Sequence, residues 1–182
     1  MPTDEQLALG LQNGKGDGLT MLVERHYGAL MGYLYRLAGG DRLLAEDITQ
    51  EVFLQVIRAI QQYQYPRPFK PWLYAIATNL ARNHYNRPDT RRTLSSDRLL
   101  WERPASATAA EDAILENDEA QQVAALLMAL PDHQREVVVL RYYQALSLAE
   151  IADALGIPVG TVKSRLSLGL SRLRTMMERE DV

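Results

Sequence analysis

The sequence SLAEIADALGIPVGTVKSRL, at residues 147–166, has the pattern of two helices joined by a sharp turn. Ser147 and Glu150 form an S-x-x-E capping box, which marks the start of the first helix. Gly156 ends that helix, since a positive φ is commonly needed there. Pro158 stands where a second helix can begin without a backbone N–H. The stretch therefore predicts a helix-turn-helix.

The second helix of this motif carries basic and polar side chains outward and turns Val162 and Leu166 inward. When such a helix enters the major groove of DNA, side chains of this kind contact phosphates and base edges. An ordinary helical hairpin is the alternative. Ala152 argues against it, because its small side chain lets the two helices approach closely. The outward residues predicted to contact DNA are Thr161, Lys163, Ser164 and Arg165.

The composition narrows the class of protein. A chain of 182 residues can form one ordinary domain or two small ones. The absence of cysteine excludes disulfides, cysteine metal sites and thiol redox chemistry within this chain. The N-terminus has no signal-like segment and no apolar run approaches ~20 residues, so we expect a cytoplasmic protein without membrane insertion.

Charge is unevenly distributed along the chain. The net charge of −3 fits poorly with DNA binding, but residues 61–103 carry eight basic and three acidic side chains. Residues 104–136 carry one basic and seven acidic side chains. Because local rather than total charge decides where a phosphate backbone can dock, the basic middle segment is also a candidate for nucleic-acid binding.

The hydrophobic spacing is helical almost throughout. A short first helix is capped by Thr3 and Gln6. The run VVVL at residues 137–140 fits a buried helical turn better than a strand, within a helix opened by Pro131. The other helices predicted before the middle of the chain cover about residues 19–37, 43–62 and 72–86.

Residues 89–110 are polar and small, a composition that lacks the apolar content of a core and is typical of a linker. Leu99, Leu100 and Trp101 interrupt it and are candidates to dock on a folded part. We therefore predict an all-α fold of two small helical domains joined by a flexible linker. Their bounds are 1–90, a linker at 91–111, and 112–182, which contains the helix-turn-helix.

Residues 45–60 form a predicted helix with a polar, mostly acidic face. Most such faces are simply solvated, and a docking surface for a large partner is the sharper alternative. The bundle-facing side is expected among the apolar residues of the same helix. These are Val52, Leu54, Val56, Ile57 and Ile60.

Aromatic and basic residues alternate over residues 63–87. Rings on which bases stack, beside cations that follow the backbone, are the composition of a single-strand binding site. Trp72 shares helical spacing with apolar neighbours and is expected to be packed. Tyr63 and Tyr65 lie in a proline-rich loop and are the better candidates for exposure.

Three motifs carry a resemblance to a known family. They are AEDITQEVFL from residue 45, PFKPWLYAIATNLARNHYNR from residue 68, and LPDHQREVVVLRYYQALSLAEIADALGIPVGTVKSRL from residue 130. In this order they resemble a bacterial RNA polymerase sigma factor of the extracytoplasmic-function (ECF) group, in the sigma-70 family. The resemblance implies binding to core RNA polymerase, recognition of the −35 and −10 promoter elements and DNA melting. It implies no enzymatic activity, no cofactor and no metal.

The resemblance also implies roles for particular residues. The β′ clamp helices of the polymerase would be gripped by Asp47, Gln50, Glu51, Phe53 and Leu54. The −10 element, with one base flipped out of the non-template strand, would be recognised by Tyr63, Tyr65, Arg67, Lys70, Asn79, Arg82 and Asn83. The second domain would hold the β flap tip and contact the −35 element through Lys163, Ser164, Arg165 and Ser167. An anti-sigma factor is a further implied partner.

The sequence departs from the family pattern in two places. The loop YQYPRPFKP, at residues 63–71, is richer in proline than the usual turn, which bears on its base preference. Leu168 and Leu170 stand where further arginines are common. Each lost phosphate contact makes the salt dependence of DNA binding shallower by roughly one unit of slope.

Two other classes of protein compete with this interpretation. A regulator of the response-regulator type would share the helix-turn-helix, but it needs an α/β domain in front, and the first 110 residues have almost no strand pattern. An enzyme is disfavoured because His26, His84 and His133 are scattered and no nucleotide or zinc-protease motif occurs. Asp47 and Glu51 lie one helical turn apart and could pair on a metal, but a docking face is the better interpretation.

Overall fold

The structure is a computed structural model, and it describes residues 1–86, here called the N-terminal half, and residues 117–180, the C-terminal half. Within these ranges all regular elements are helical, which confirms the predicted all-α class. The predicted linker at 91–111, with Leu99, Leu100 and Trp101, lies outside the described residues.

The N-terminal half contains four α-helices: α1 (Asp4–Gln12), α2 (Asp17–Leu37), α3 (Arg42–Ala59) and α4 (Phe69–Tyr85). A 3-10 turn, Ile60–Gln62, follows α3. The predicted capping box is present, since the Thr3 hydroxyl accepts from the Gln6 amide at 3.2 Å. The core between α2, α3 and α4 is built from apolar residues at helical spacing, among them Leu30, Ile48 and Leu73.

Helix α4 begins at Phe69, three residues before the predicted start at Trp72. Pro71 is tolerated in the first turn, because the N–H groups there have no acceptor within the helix. The Phe69 amide instead donates to the Glu5 carboxylate of α1 at 3.0 Å. The predicted helix boundary was late because this acceptor comes from a distant part of the chain.

The C-terminal half contains α5 (Asp118–Met128), α6 (Asp132–Tyr142), α7 (Leu148–Leu155) and α8 (Val159–Glu180). Residues 137–140 lie inside α6 and are buried, as predicted for a helical turn. The capping box at Ser147 is formed in both directions, and Gly156 adopts a left-handed conformation with φ of 64°. These contacts confirm the helix-turn-helix predicted for α7 and α8.

The two halves pack against each other and share one continuous core. Helix α4 lies along α7, and α2 contacts α5 and α6. The approach is close where α2 meets α5: a Cβ at Gly39 would lie 2.8 Å from Cγ of Met128. The structure therefore describes a closed arrangement, about which the sequence pattern gave no indication.

The left-handed turn of the helix-turn-helix can be tested by one substitution. Gly156→Ala is expected to lower the free energy of unfolding by roughly 1–2 kcal/mol, because a Cβ is strained at positive φ. No atom lies within 4 Å of the added methyl, so the cost comes from the backbone alone. Urea denaturation measures it.

Gly160→Ala is the matched control, since its Cβ also meets open space and its backbone is helical. A gain of up to about 1 kcal/mol is expected there. If the two substitutions had the same effect on stability, the assigned turn conformation would be wrong.

Candidate nucleic-acid interface

The aromatic loop, residues 63–68, joins the 3-10 turn to α4 and begins with a buried ring. Tyr63 is only 4% exposed. Its ring packs edge-on against Phe69 and tilted against Trp72, with centroid distances of 5.8 and 5.3 Å. The Tyr63 hydroxyl donates to the backbone carbonyl of Arg67. The expectation that Tyr63 is exposed was wrong, because two neighbouring rings hold it in the core, whereas Trp72 is packed as predicted.

The tip of the aromatic loop is exposed. The Arg67 amide donates to the Gln64 carbonyl at 2.8 Å and closes a turn. Tyr65 within this turn is 47% exposed, so its ring is accessible for stacking on a base. Of the two tyrosines proposed for exposure, Tyr65 is the one that the fold presents to solvent.

Helix α4 continues the same surface beyond the loop. Asn79 and Asn83 are both exposed and stand four residues apart, so they share one face of the helix. Their amides each offer a donor and an acceptor, which is the chemistry that reads base edges. The loop and α4 follow one another along the chain.

A partly buried ion pair joins the far end of α4 to the C-terminal half. The Arg82 guanidinium donates from Nε and Nη2 to the two carboxylate oxygens of Glu136, at 2.8 and 2.6 Å. Glu136 is 3% exposed. The hydrogen bonds to Glu136 raise the pKa of Arg82 above its ordinary value. A bidentate pair of this kind is a strong hydrogen-bonded contact.

The loop cations are also occupied by the C-terminal half. Arg67 Nη2 lies 2.6 Å from Oδ1 of Asp153 in α7. Lys70 Nζ donates to the Gln144 backbone carbonyl at 2.6 Å. All of the cations predicted for the −10 site therefore contact the other half of the chain. In the closed arrangement these contacts compete with a phosphate backbone for the same cations.

The residues predicted to contact DNA in the helix-turn-helix are, by contrast, mostly exposed to solvent. Lys163, Ser164 and Ser167 on α8 are exposed, while Thr161 and Arg165 are partly buried. The Ser164 hydroxyl donates to the Gly160 carbonyl of its own helix at 3.0 Å. The face predicted to enter the major groove therefore remains accessible in the closed arrangement.

The acidic helix α3 differs from the sequence prediction in which of its residues face solvent and which face the core. Phe53 is 1% exposed and stacks on Tyr27, so it supports the proposed docking surface from beneath and does not form it. Ile57, expected to face the bundle, is 45% exposed. Asp47, Gln50, Glu51 and Leu54 are partly exposed.

The sequence prediction missed the exposed Leu43 and placed the exposed Ile57 on the bundle-facing side. Leu43 and Ile57 extend the partly exposed Asp47, Gln50 and Leu54 into one stripe with alternating steps of four and three residues. This spacing could have revealed the stripe from the sequence, because steps of that kind stay on one face of a helix that packs against another helix. We call these five residues the α3 stripe.

Helix α1 is anchored by an acidic residue between two basic partners. The Asp4 carboxylate lies 2.7 Å from Arg25 Nη1 and 2.7 Å from His26 Nε2. Burial raises the pKa of Asp4, but the hydrogen bond from Arg25 and the interactions with His26 outweigh it, so the pKa lies below its ordinary value. The His26 ring in turn packs against Phe69 at the start of α4.

No group of three or more histidine, aspartate or glutamate side chains in residues 1–86 and 117–180 could hold a metal ion. None of the helices described for these residues is long and apolar enough to cross a membrane.

Comparison with known proteins agrees with this geometry. The family profile described as Sigma-70 region 2 matches residues 22–92, and that described as Sigma-70, region 4 matches residues 120–173. The ECF RNA polymerase sigma factor SigW of Bacillus subtilis is 31% identical over 174 residues, which cover 92% of each chain. These matches favour the predicted family over the response-regulator alternative.

Solved structures give the same result. CnrH in complex with the cytosolic domain of CnrY is similar with a TM-score of 0.74 and 26% identity, over 97% of both chains. The sigma factor RpoE of Bartonella quintana, in complex with the anti-sigma factor NepR, has a TM-score of 0.64 and 25% identity. That match covers 87% of this chain and 93% of RpoE.

The anchoring of α1 predicts a pH dependence. Because the pKa of Asp4 is lower in the folded chain, its stabilising effect is complete above its ordinary value of about 4 and is lost as the pH falls through the folded pKa. Asp4→Asn is expected to lower stability by about 1 kcal/mol at pH 7. The difference from the wild type should shrink below pH 4 in thermal denaturation.

Asp17→Asn is the control, since Asp17 is an exposed acid in the first turn of α2. It removes a charge of the same kind without the contacts to Arg25 and His26. A stability difference for Asp4→Asn that stays constant from pH 7 to pH 2 would contradict the assigned anchor.

Proposed function

The chain belongs to the ECF group of RNA polymerase sigma factors, in the sigma-70 family, and from that premise we propose how its two halves divide promoter recognition. A sigma factor binds core RNA polymerase and directs it to promoters at transcription initiation. The N-terminal half recognises the −10 element and the C-terminal half the −35 element. Polymerisation chemistry belongs to the core enzyme, beside which this chain acts in the cytoplasm.

The observation that carries the −10 assignment is the exposed surface formed by the loop tip and α4. Tyr65 offers a ring for a flipped-out base, and Asn79 and Asn83 offer amides for base edges. Stacking of one base on an aromatic ring is worth about 1–3 kcal/mol, which is comparable to the few kcal/mol that unstacking a base costs. Tyr63 contributes by supporting the loop and not by contacting DNA.

The −35 element is contacted by α8. Lys163, Ser164 and Ser167 stand exposed on the outer face of the helix-turn-helix, with Thr161 and Arg165 beside them. At this position arginine and lysine bind phosphates or guanine edges, and the serine hydroxyls form hydrogen bonds with either. The leucines at 168 and 170 are exposed and supply no phosphate contact.

The α3 stripe is the proposed docking surface for the polymerase. Its alternation of four and three residues suits a partner that is itself a helix or a coiled coil, such as the β′ clamp helices. The C-terminal half would hold the β flap tip. An anti-sigma factor is a further proposed partner, because the similar RpoE of Bartonella quintana was solved with one.

Promoter binding requires the closed arrangement to open. The names of the two elements put them about 25 base pairs apart, which is about 85 Å along B-form DNA at about 3.4 Å per base pair. In the closed chain Arg67 of the loop lies 2.6 Å from Asp153 of the helix-turn-helix. The two reading surfaces are therefore too close together to contact both elements at once.

Run-off transcription tests the function. Core RNA polymerase with this chain is expected to give discrete transcripts from fragmented genomic DNA that core polymerase alone does not give. Their 5′ ends define the promoter. Site-specific DNA binding without any new transcript would support a regulator that is not a polymerase subunit.

Substitution in α8 tests the −35 assignment. Arg165→Ala should weaken binding to a −35 duplex by about 1–3 kcal/mol and leave core polymerase binding unchanged. Lys163→Ala should reduce the salt slope of DNA binding by about one unit. Fluorescence anisotropy over a salt series measures both. An equal loss of DNA and polymerase binding for Arg165→Ala would contradict the assignment.

Substitution of the acidic partners tests opening. Asp153→Asn and Glu136→Gln remove the charges that hold Arg67 and Arg82, so each should raise affinity for single-stranded −10 DNA about threefold to tenfold. Glu119→Gln removes the same charge from an exposed position in the first turn of α5 and should leave this affinity unchanged. Equal gains in all variants would reflect net charge alone.

A further inference from the structure

Helix α1 contacts both ends of the aromatic loop and lies away from its exposed tip. It lies outside the region that the family profile matches, which begins at residue 22. We propose that α1 positions the loop for reading the −10 element, and that Gln12 is the positioning residue. This inference rests on the proposed function of the loop.

Gln12 holds the entrance of the loop. Its Nε2 donates to the backbone carbonyls of Ile60 and Tyr63, at 2.8 and 2.6 Å. These carbonyls belong to the 3-10 turn and to the first loop residue, and the Ile60 carbonyl also accepts from the Tyr63 amide at 3.1 Å. Gln61 returns a hydrogen bond to the Gln12 carbonyl at 3.1 Å. The single side-chain amide of Gln12 thus fixes the first residues of the loop.

Glu5 holds the exit of the loop. Its carboxylate accepts from the Phe69 amide, the first of α4, at 3.0 Å. Burial raises the pKa of Glu5, but the hydrogen bonds from the amides of Phe69 and Glu5 and from the Thr3 side chain together outweigh it, so the pKa lies below its ordinary value and the group is an anion near neutrality. An anion at a helix N-terminus is a favourable arrangement.

The two contacts act along one face of α1. Glu5 and Gln12 are seven residues apart, which is two helical turns, so both side chains point the same way. Helix α1 therefore connects the two ends of the aromatic loop and holds them at a fixed separation. Tyr63 is held by the neighbouring ring of Phe69 and by its hydrogen bond to the Arg67 carbonyl. The position of Tyr65, between Tyr63 and Arg67, therefore depends on where the two ends of the loop are fixed.

The consequence is a residue that affects base discrimination without touching DNA. A loop that is ordered before binding does not lose that freedom on binding and presents one geometry to the base. Releasing the loop entrance should reduce the preference for the correct −10 sequence more than it reduces stability. It should leave the −35 surface and the α3 stripe unaffected.

Gln12→Glu is the sharpest test, because glutamate has nearly the same shape but its ionised carboxylate accepts hydrogen bonds and cannot donate them. Gln12→Lys keeps a donor and should retain wild-type behaviour. Gln6→Glu is the matched control on the same helix, since glutamate also completes the capping box there. It introduces the same charge change away from the loop.

The measurement is the ratio of affinities for two single-stranded oligonucleotides. One carries the −10 sequence taken from the mapped transcript ends, and the other carries one substituted base. Gln12→Glu is expected to lower this ratio about fivefold to tenfold, with unchanged binding to a −35 duplex and to core polymerase. A wild-type ratio in Gln12→Glu would overturn the inference.

Hydrogen exchange at the Arg67 amide gives a readout that does not need DNA. This amide closes the loop turn on the Gln64 carbonyl. Exchange about tenfold faster in Gln12→Glu, but not in Gln6→Glu, supports positioning by α1, and equal rates overturn it. If the wild type itself fails to discriminate the two oligonucleotides, the proposed −10 function is wrong, whatever the exchange rates show about positioning of the loop by α1.

Discussion

The buried hydrogen bond from the Tyr74 hydroxyl to Oε1 of Gln144, 2.6 Å long, is the contact on which the closed arrangement depends. Tyr74 lies in the core of the N-terminal half, edge-on to Tyr33, and Gln144 comes from the C-terminal half. Burial raises the pKa of Tyr74 far above its ordinary value, so it remains a neutral donor at any physiological pH. Removing one partner would leave the other buried and unpaired, at a cost of about 1–3 kcal/mol.

Polar contacts at this interface favour its opening. Beside the shared apolar core, its side-chain contacts include hydrogen bonds and ion pairs that water can replace, such as those of Lys70 and Arg82. A purely apolar interface could not exchange its contacts for water. On the proposed function, helix α4 would contact two sets of partners in turn: the C-terminal half when closed, and nucleic acid when open.

The sequence predicted what depends on local chemistry. The helix-turn-helix follows from Ser147, Glu150 and Gly156, which all act within a few residues of one another. Tyr63 was misjudged, because whether a ring in a loop is buried depends on Phe69 and Trp72, whose positions are fixed only when α4 folds back. The closed arrangement was beyond sequence reasoning, since Gln144 is 70 residues from Tyr74. Gln12 was missed for the same reason, as its acceptors lie about 50 residues away along the chain.

The uneven charge of the chain has a physical reading in the closed arrangement. Two cations of the basic middle segment pair with acidic residues of the C-terminal half, Arg67 with Asp153 and Arg82 with the buried Glu136. The more exposed pair of Arg67 and Asp153 is open to screening by salt, whereas the partly buried pair is screened much less. On the proposed −10 function, a DNA phosphate would compete unequally for the two cations. We expect it to capture Arg67 at the loop tip while the halves still touch and to displace Glu136 from Arg82 later, so that engagement of the −10 surface proceeds from the loop towards the far end of α4.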